Sequence, residues 1–211
     1  MEESKKQELN KSLVDVRKAY RLLYHYQRRV IDLAYFIGNS LKLKPVSGNP
    51  WFSEATFNRT SAGQGRWAWD WLGMYYYNFY FENVLNDDRK VQFGVIIQSD
   101  TGYFDSVNSK KLNLSDFNSP EHAETRIILA ASQGNWDSKA IRETKFFKKD
   151  IVEYLPLCDN NDWSEAKIFA KAYPLSEFID EQSSLKIINC FKKFCAEHNI
   201  VLMDNGVEDE D

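Results

Sequence analysis

Apolar residues recur along the first fifth of the chain at alternating steps of four and three. Leu9, Leu13, Val16, Tyr20, Leu23, Gln27, Val30, Ala34, Ile37 and Leu41 form this series, and only Gln27 breaks its apolar character. That period places all ten on one stripe of a helix. No proline or glycine occurs before Gly38, and Ser4 is a candidate cap, so the pattern predicts one helix over 4–41. Such a helix would be on the order of 50 Å long, more than a domain of this size can cover. From Val30 onward the sequence is apolar nearly all round, which predicts burial. The first half keeps a narrow seam with charged surroundings, and Leu9 to Leu23 are expected to project.

The period then changes. In Arg66–Glu82 (RWAWDWLGMYYYNFYFE) aromatic residues fall two apart. In a strand, Trp67, Trp69 and Trp71 share one side, Gly73 marks a break, and Tyr75, Tyr77, Phe79 and Phe81 share a side after it. A helix would also put Trp67, Trp71, Met74, Asn78 and Phe81 on one stripe. The strand reading is favoured because Asn86-Asp87-Asp88 has turn chemistry and Val91, Phe93, Val95 and Ile97 alternate after it, as in a hairpin. The aromatic run is expected to be a sheet face packed under the long helix. The rival reading is a platform for stacking bases or sugars.

Further along, Ser99-Asp100-Thr101-Gly102 reads as a turn and Thr125–Ala131 as a strand buried on both faces. Ala166–Tyr173 reads as another strand, ended by Pro174. Ser183–His198 reads as an amphipathic helix with Leu185, Ile188, Phe191 (or Cys190), Phe194 and Cys195 inward. Residues 45–64 read as loop on their Pro and Gly content, and 137–154 as holding a short helix. The expected fold class is α+β. A long N-terminal helix and a C-terminal helix pack on one mainly antiparallel sheet of about four to five strands. A single domain over 1–203 and a disordered acidic tail over 204–211 complete the expectation.

Charge sharpens this picture. Residues 1–44 hold ten Lys/Arg against five acids, a balance of +5, so with a chain total of −4 the remainder carries −9. On the first half of the helix Arg17, Arg21, Tyr24 and Arg28 share a face, which is a solvated surface or a contact for an acidic partner. Three scattered cysteines, Cys158, Cys190 and Cys195, argue against a disulfide framework and for the reducing cytoplasm. The N-terminus lacks the apolar core of a signal peptide, and no apolar run approaches the length of a membrane span. Abundant Phe, Tyr, Ile, Asn and Lys, with A/T-rich codons, point by association to a low-GC bacterial gene, in a mobile-element or defence locus.

Catalytic signals are weak. Glu165-Ala166-Lys167 has the acid-x-Lys spacing of a divalent-metal nuclease, but Glu143-Thr144-Lys145 repeats it, and the triplet is common by chance. Cys190, Cys195 and His198 do not converge on a helix as zinc ligands would. His122-Ala123-Glu124 is half a metal site at most. Ser61–Gly65 between Arg59 and Arg66 lacks the Lys-Ser/Thr ending of a phosphate loop. No cofactor or metal is expected. The sequence therefore points to a non-enzymatic accessory or adaptor subunit of a cytoplasmic assembly. Its contact is expected at Leu9, Leu13, Val16, Tyr20 and Leu23 with Arg17, Arg21 and Arg28, to another protein or to a second copy. The alternatives are a nuclease using Glu165 and Lys167, and a nucleic-acid-binding module using the basic helix.

Overall fold

A computed structural model of the chain describes residues 2–50, 76–84, 90–102, 115, 117–133, 152–156 and 167–202. Helix α1, Glu2–Ser40, runs unbroken for 39 residues. Strands β1 (Lys44–Pro50), β2 (Tyr76–Val84), β3 (Lys90–Gln98), β4 (Arg126–Gln133), β5 (Val152–Pro156) and β6 (Lys167–Pro174) follow. A short 3-10 turn, Leu175–Glu177, leads into α2, Glu181–Glu197. The fold is α+β, with two helices on an antiparallel sheet, as the hydrophobic pattern predicts. The strands form one six-stranded sheet in the order β1-β2-β3-β4-β6-β5, with every neighbouring pair antiparallel.

Two elements differ from the sequence expectation. Residues 44–50 form an edge strand beside β2 rather than part of a loop. Pro45 and Pro50 disguise it, but an edge strand tolerates proline because one row of its N–H groups has no neighbour to reach. A register shift between Pro45 and Ser47 marks an irregularity there. Val152–Pro156, expected to close a short helix, is instead the opposite edge strand, beside β6. Both are edges, where a single partner strand decides the conformation and local pattern carries little signal.

The register sets a grid. On the face under the helices, Tyr77, Ile97, Ile127 and Tyr173 form one cross-strand row. Phe79, Val95 and Leu129 form the next, and Phe81, Phe93, Ala131 and Phe169 the third. All are buried, and they make one core with Val30, Ile31, Ala34, Ile37 and Leu41 of α1 and with Ile188, Phe191 and Cys195 of α2. The expectation that β4 is buried on both sides holds, since Ile127 to Ala131 are all at 0% exposure.

The helices cross the sheet in the same direction. At one end Tyr26 donates to Ser99 (3.0 Å), and Arg29 Nη2 donates to the carbonyl oxygen of Phe178 (3.1 Å), which precedes α2. At the other end Gly38 lies against Phe81, and the Phe191 ring meets Phe93 at 6.0 Å.

Both helices stop in the same way. Leu43 N–H bonds to Gly38 O and Lys42 N–H to Asn39 O. In α2, Ile200 N–H bonds to Cys195 O and Asn199 N–H to Ala196 O. In each case a residue in the left-handed region, Lys42 (φ 52) or Asn199 (φ 61), turns the chain, and the next residue, Leu43 or Ile200, drops into the core. Asp180 caps the start of α2 by accepting from Ser183 N at 2.7 Å. That backbone hydrogen bond holds its carboxyl below the usual carboxylate range. Leu185 is exposed, while Ser184 takes the buried position and bonds its Oγ to Asp180 O.

Two outcomes follow from these contacts. A Cβ on Gly38 would overlap the Cε1 edge of the packed Phe81 ring. Gly38→Ala is therefore expected to destabilise by about 1–3 kcal/mol in urea unfolding, although alanine is the better helix former. Lys42→Gly is expected to stabilise by roughly 1 kcal/mol in the same assay, since glycine removes the left-handed penalty.

Candidate functional site

Helix α1 divides where the sheet begins. Val30, Ala34 and Ile37 are at 1%, 0% and 0% exposure, whereas Leu13, Leu23, Val16, Leu9 and Tyr20 range from 42% to 60%. Val14 and Leu22 beside them are exposed too. Gln27, the polar member of the series, sits at the junction. It is 9% exposed, and its Nε2 has no hydrogen-bond partner among the described residues. The seam below Gln27 is filled by the sheet, and the seam above it faces solvent.

The charged residues of the free half do little to hold it. Lys18 pairs with Asp15 at 3.0 Å and Arg28 with Asp32 at 3.8 Å, both on exposed surface. Exposed pairs of this kind contribute well under about 1 kcal/mol. Arg17 and Arg21 are exposed as well. Most helical stability comes from packing an apolar face, and this half packs on nothing among the described residues. The sequence-derived contact residues thus lie together on one exposed helix segment, with Arg17 at the edge of the apolar series and Arg21 and Arg28 further round the helix.

The other face of the sheet is buried and partly polar. Tyr76, Gln98 and Arg126 align across β2, β3 and β4. Arg126, at 5% exposure, donates from Nε to Gln98 Oε1. Asn78 Nδ2 donates to Tyr80 OH at 2.8 Å, while Asn78 Oδ1 has no partner among the described residues. Sequence reasoning missed this row. The only signal was a lone arginine opening an otherwise apolar strand, and nothing local says that such a residue turns inward. A buried guanidinium needs its hydrogen bonds satisfied, so the row fixes the strand register. It offers solvent no reactive group.

The remaining candidates do not assemble. His198 stacks on Phe169 at 4.1 Å, Cys195 is buried and Cys190 is exposed, so the three do not converge. His122 Nδ1 lies 2.9 Å from Ser119 Oγ, and the Glu124 backbone N–H donates to Thr101 Oγ1, which makes this a turn. Asp100 Oδ1 accepts from Gly102 N at 2.8 Å in the turn expected at 99–102. Among the described residues no group of three or more His, Cys, Asp or Glu could hold a metal ion. Lys167 opens β6 opposite Pro156, but Glu165 lies outside the described residues. So do Trp67, Trp69 and Trp71, Ser61–Gly65, Glu143–Lys145, Cys158 and the acidic tail. Of the aromatic run, Tyr76, Tyr77, Phe79, Tyr80 and Phe81 are described, and all are buried, which removes them from any stacking platform.

The sequence matches the profile of the PM0109 family over residues 6–202. The chain belongs to the PM0109 family. The match takes in the free half of α1 and ends before the acidic tail. A stretch of 34 residues is 68% identical to the protein PM0109 of Pasteurella multocida (strain Pm70). That stretch covers 16% of this chain and 17% of the relative's length. No solved structure matches. The PM0109 family is thus α+β in this member and includes a bacterial protein. Among the described residues no helix is long and apolar enough to cross a membrane.

The two described cysteines provide a check on the packing of α2. Burial pushes the Cys195 thiol up to about 12, leaving almost no thiolate at neutral pH, whereas Cys190 is exposed. A maleimide applied to the native protein is expected to modify Cys190 and to reach Cys195 only after denaturation. Peptide mass mapping reads the difference.

Proposed function

We propose that this PM0109-family protein is a non-enzymatic docking subunit of a cytoplasmic assembly, and that it engages its partner through Leu9, Leu13, Val16, Tyr20 and Leu23 of α1. One observation carries the proposal: the apolar seam of an unbroken helix changes from fully buried to solvent-facing part-way along, and stays apolar on both sides of Gln27. A projecting helix that only needed to stay soluble would carry polar residues at these positions. Contiguous exposed apolar surface of this extent usually marks a protein contact. The regular 4-3 spacing favours a helical partner, because two helices interlock at that repeat.

Arg17 lies at the edge of the seam, within reach of a partner's flank, while Arg21 and Arg28 lie further round the helix, on its outer side. Assignment to the cytoplasm rests on the few, scattered cysteines, of which Cys190 and Cys195 are free.

The test is the double substitution Leu13→Asp with Leu23→Asp. Both sites are exposed and lie outside the core, so circular dichroism and urea unfolding of the sheet body are expected to stay near wild type. Self-association or capture of the partner is expected to be lost, read by light scattering and affinity purification. Unchanged mass together with an unchanged set of copurifying proteins would refute the docking reading.

A further inference from the structure

We infer that the helix seated on the free seam of α1 belongs to a second copy of this chain, lying antiparallel. This rests on the docking reading above and narrows it to one occupant.

Direction comes from the stripe itself. The buried residues Val30, Ala34, Ile37 and Leu41 continue the exposed series Leu9, Leu13, Val16, Tyr20 and Leu23 by the same steps. A straight helix drifts by only about 20° per heptad against such a repeat. The free seam therefore faces the same side as the sheet beneath α1. A helix seated on it and running parallel would drive its own second half into that sheet. An antiparallel helix leads its second half, and the sheet it carries, away past the N-terminus of α1. Two copies can pair antiparallel without collision, each body standing at the end of the other's helix.

Register and charge fit a second copy. With Leu13 set against Val16 of the second copy, Leu9 meets its Tyr20 and Lys6 meets its Leu23. Ten large apolar side chains, five from each helix, then leave water together. The flanking pairs are Ser12 with Ala19 and Asn10 with Arg17, so no like charges meet, and small residues line one side. Lys11, Lys18, Arg21 and Arg28 all point outward in this arrangement, so the basic excess of α1 does not oppose self-pairing.

The full-length chain is the test object. Light scattering is expected to return twice the chain mass, falling to one chain in Leu13→Asp with Leu23→Asp. Orientation is read by pulsed electron paramagnetic resonance on a nitroxide at Arg28→Cys, with Cys158 and Cys190 replaced by serine. The antiparallel register separates the two labels by about 40 Å along the axis, whereas a separation under about 25 Å would mean parallel helices and overturn the inference. A monomer that captures another protein through Leu13 and Leu23 would overturn the second copy and leave the docking reading standing. A monomer with no partner dependent on those residues would overturn both.

Discussion

The seating of the second half of α1 on β2 is the contact from which the remaining architecture follows. Gly38 lets the helix backbone come within side-chain distance of the Phe81 ring, and Tyr35 meets Phe79 and Phe81 edge-on at 6.4 and 6.3 Å. Because α1 is this close, Val30, Ala34, Ile37 and Leu41 reach the same core as the aromatic rows of the sheet. Phe191 then extends that core to α2 through Phe93. Each large side chain so buried contributes roughly 1.5–3 kcal/mol. The sheet is only as wide as its rows allow, so the helix that anchors there at Gly38 has to leave the sheet near Gln27. The exposed seam is a geometric consequence of that anchor.

The two helix ends repeat one solution. Leu43 and Ile200 each follow a residue in the left-handed region, and each turns a helix terminus into a core contact. This fixes how the chain enters β1 and how it leaves α2. It also keeps both C-terminal ends at the same side of the sheet, so the N-terminal half of α1 stands alone at the opposite side. Fold and candidate function are linked here: the direction in which α1 crosses the sheet decides which half is free.

The second sheet face follows a different logic. Tyr76, Gln98 and Arg126 put polar groups in a closed layer, where a hydrogen bond from Arg126 to Gln98 offsets part of the desolvation of the guanidinium. Such a rung penalises any slip of β3 against β4, because a shift of one residue would send Arg126 to the apolar face under the helices. The two faces therefore share the task. One supplies burial, and the other supplies register.

Sequence by itself determined the elements whose pattern is long and periodic. The 4-3 series fixed α1 and the division between its halves. Alternation placed β2, β3 and β6, a short continuous apolar run placed β4, and the spacing of Ile188, Phe191 and Cys195 placed α2. Leu9 to Leu23 were legible as a candidate contact because exposed positions have no reason to keep a seam. Only the tertiary structure decided the edges and the inward polar residues. β1 hides behind Pro45 and Pro50, and β5 is a short strand held by β6 alone, so neither has a local pattern to read. Arg126 and Gln98 look like ordinary surface residues until strand pairing sets them side by side on a buried face. The side of the sheet toward which the free seam looks was likewise a tertiary outcome, since a helix's direction across a sheet is set by long-range packing and leaves no mark in its own periodicity.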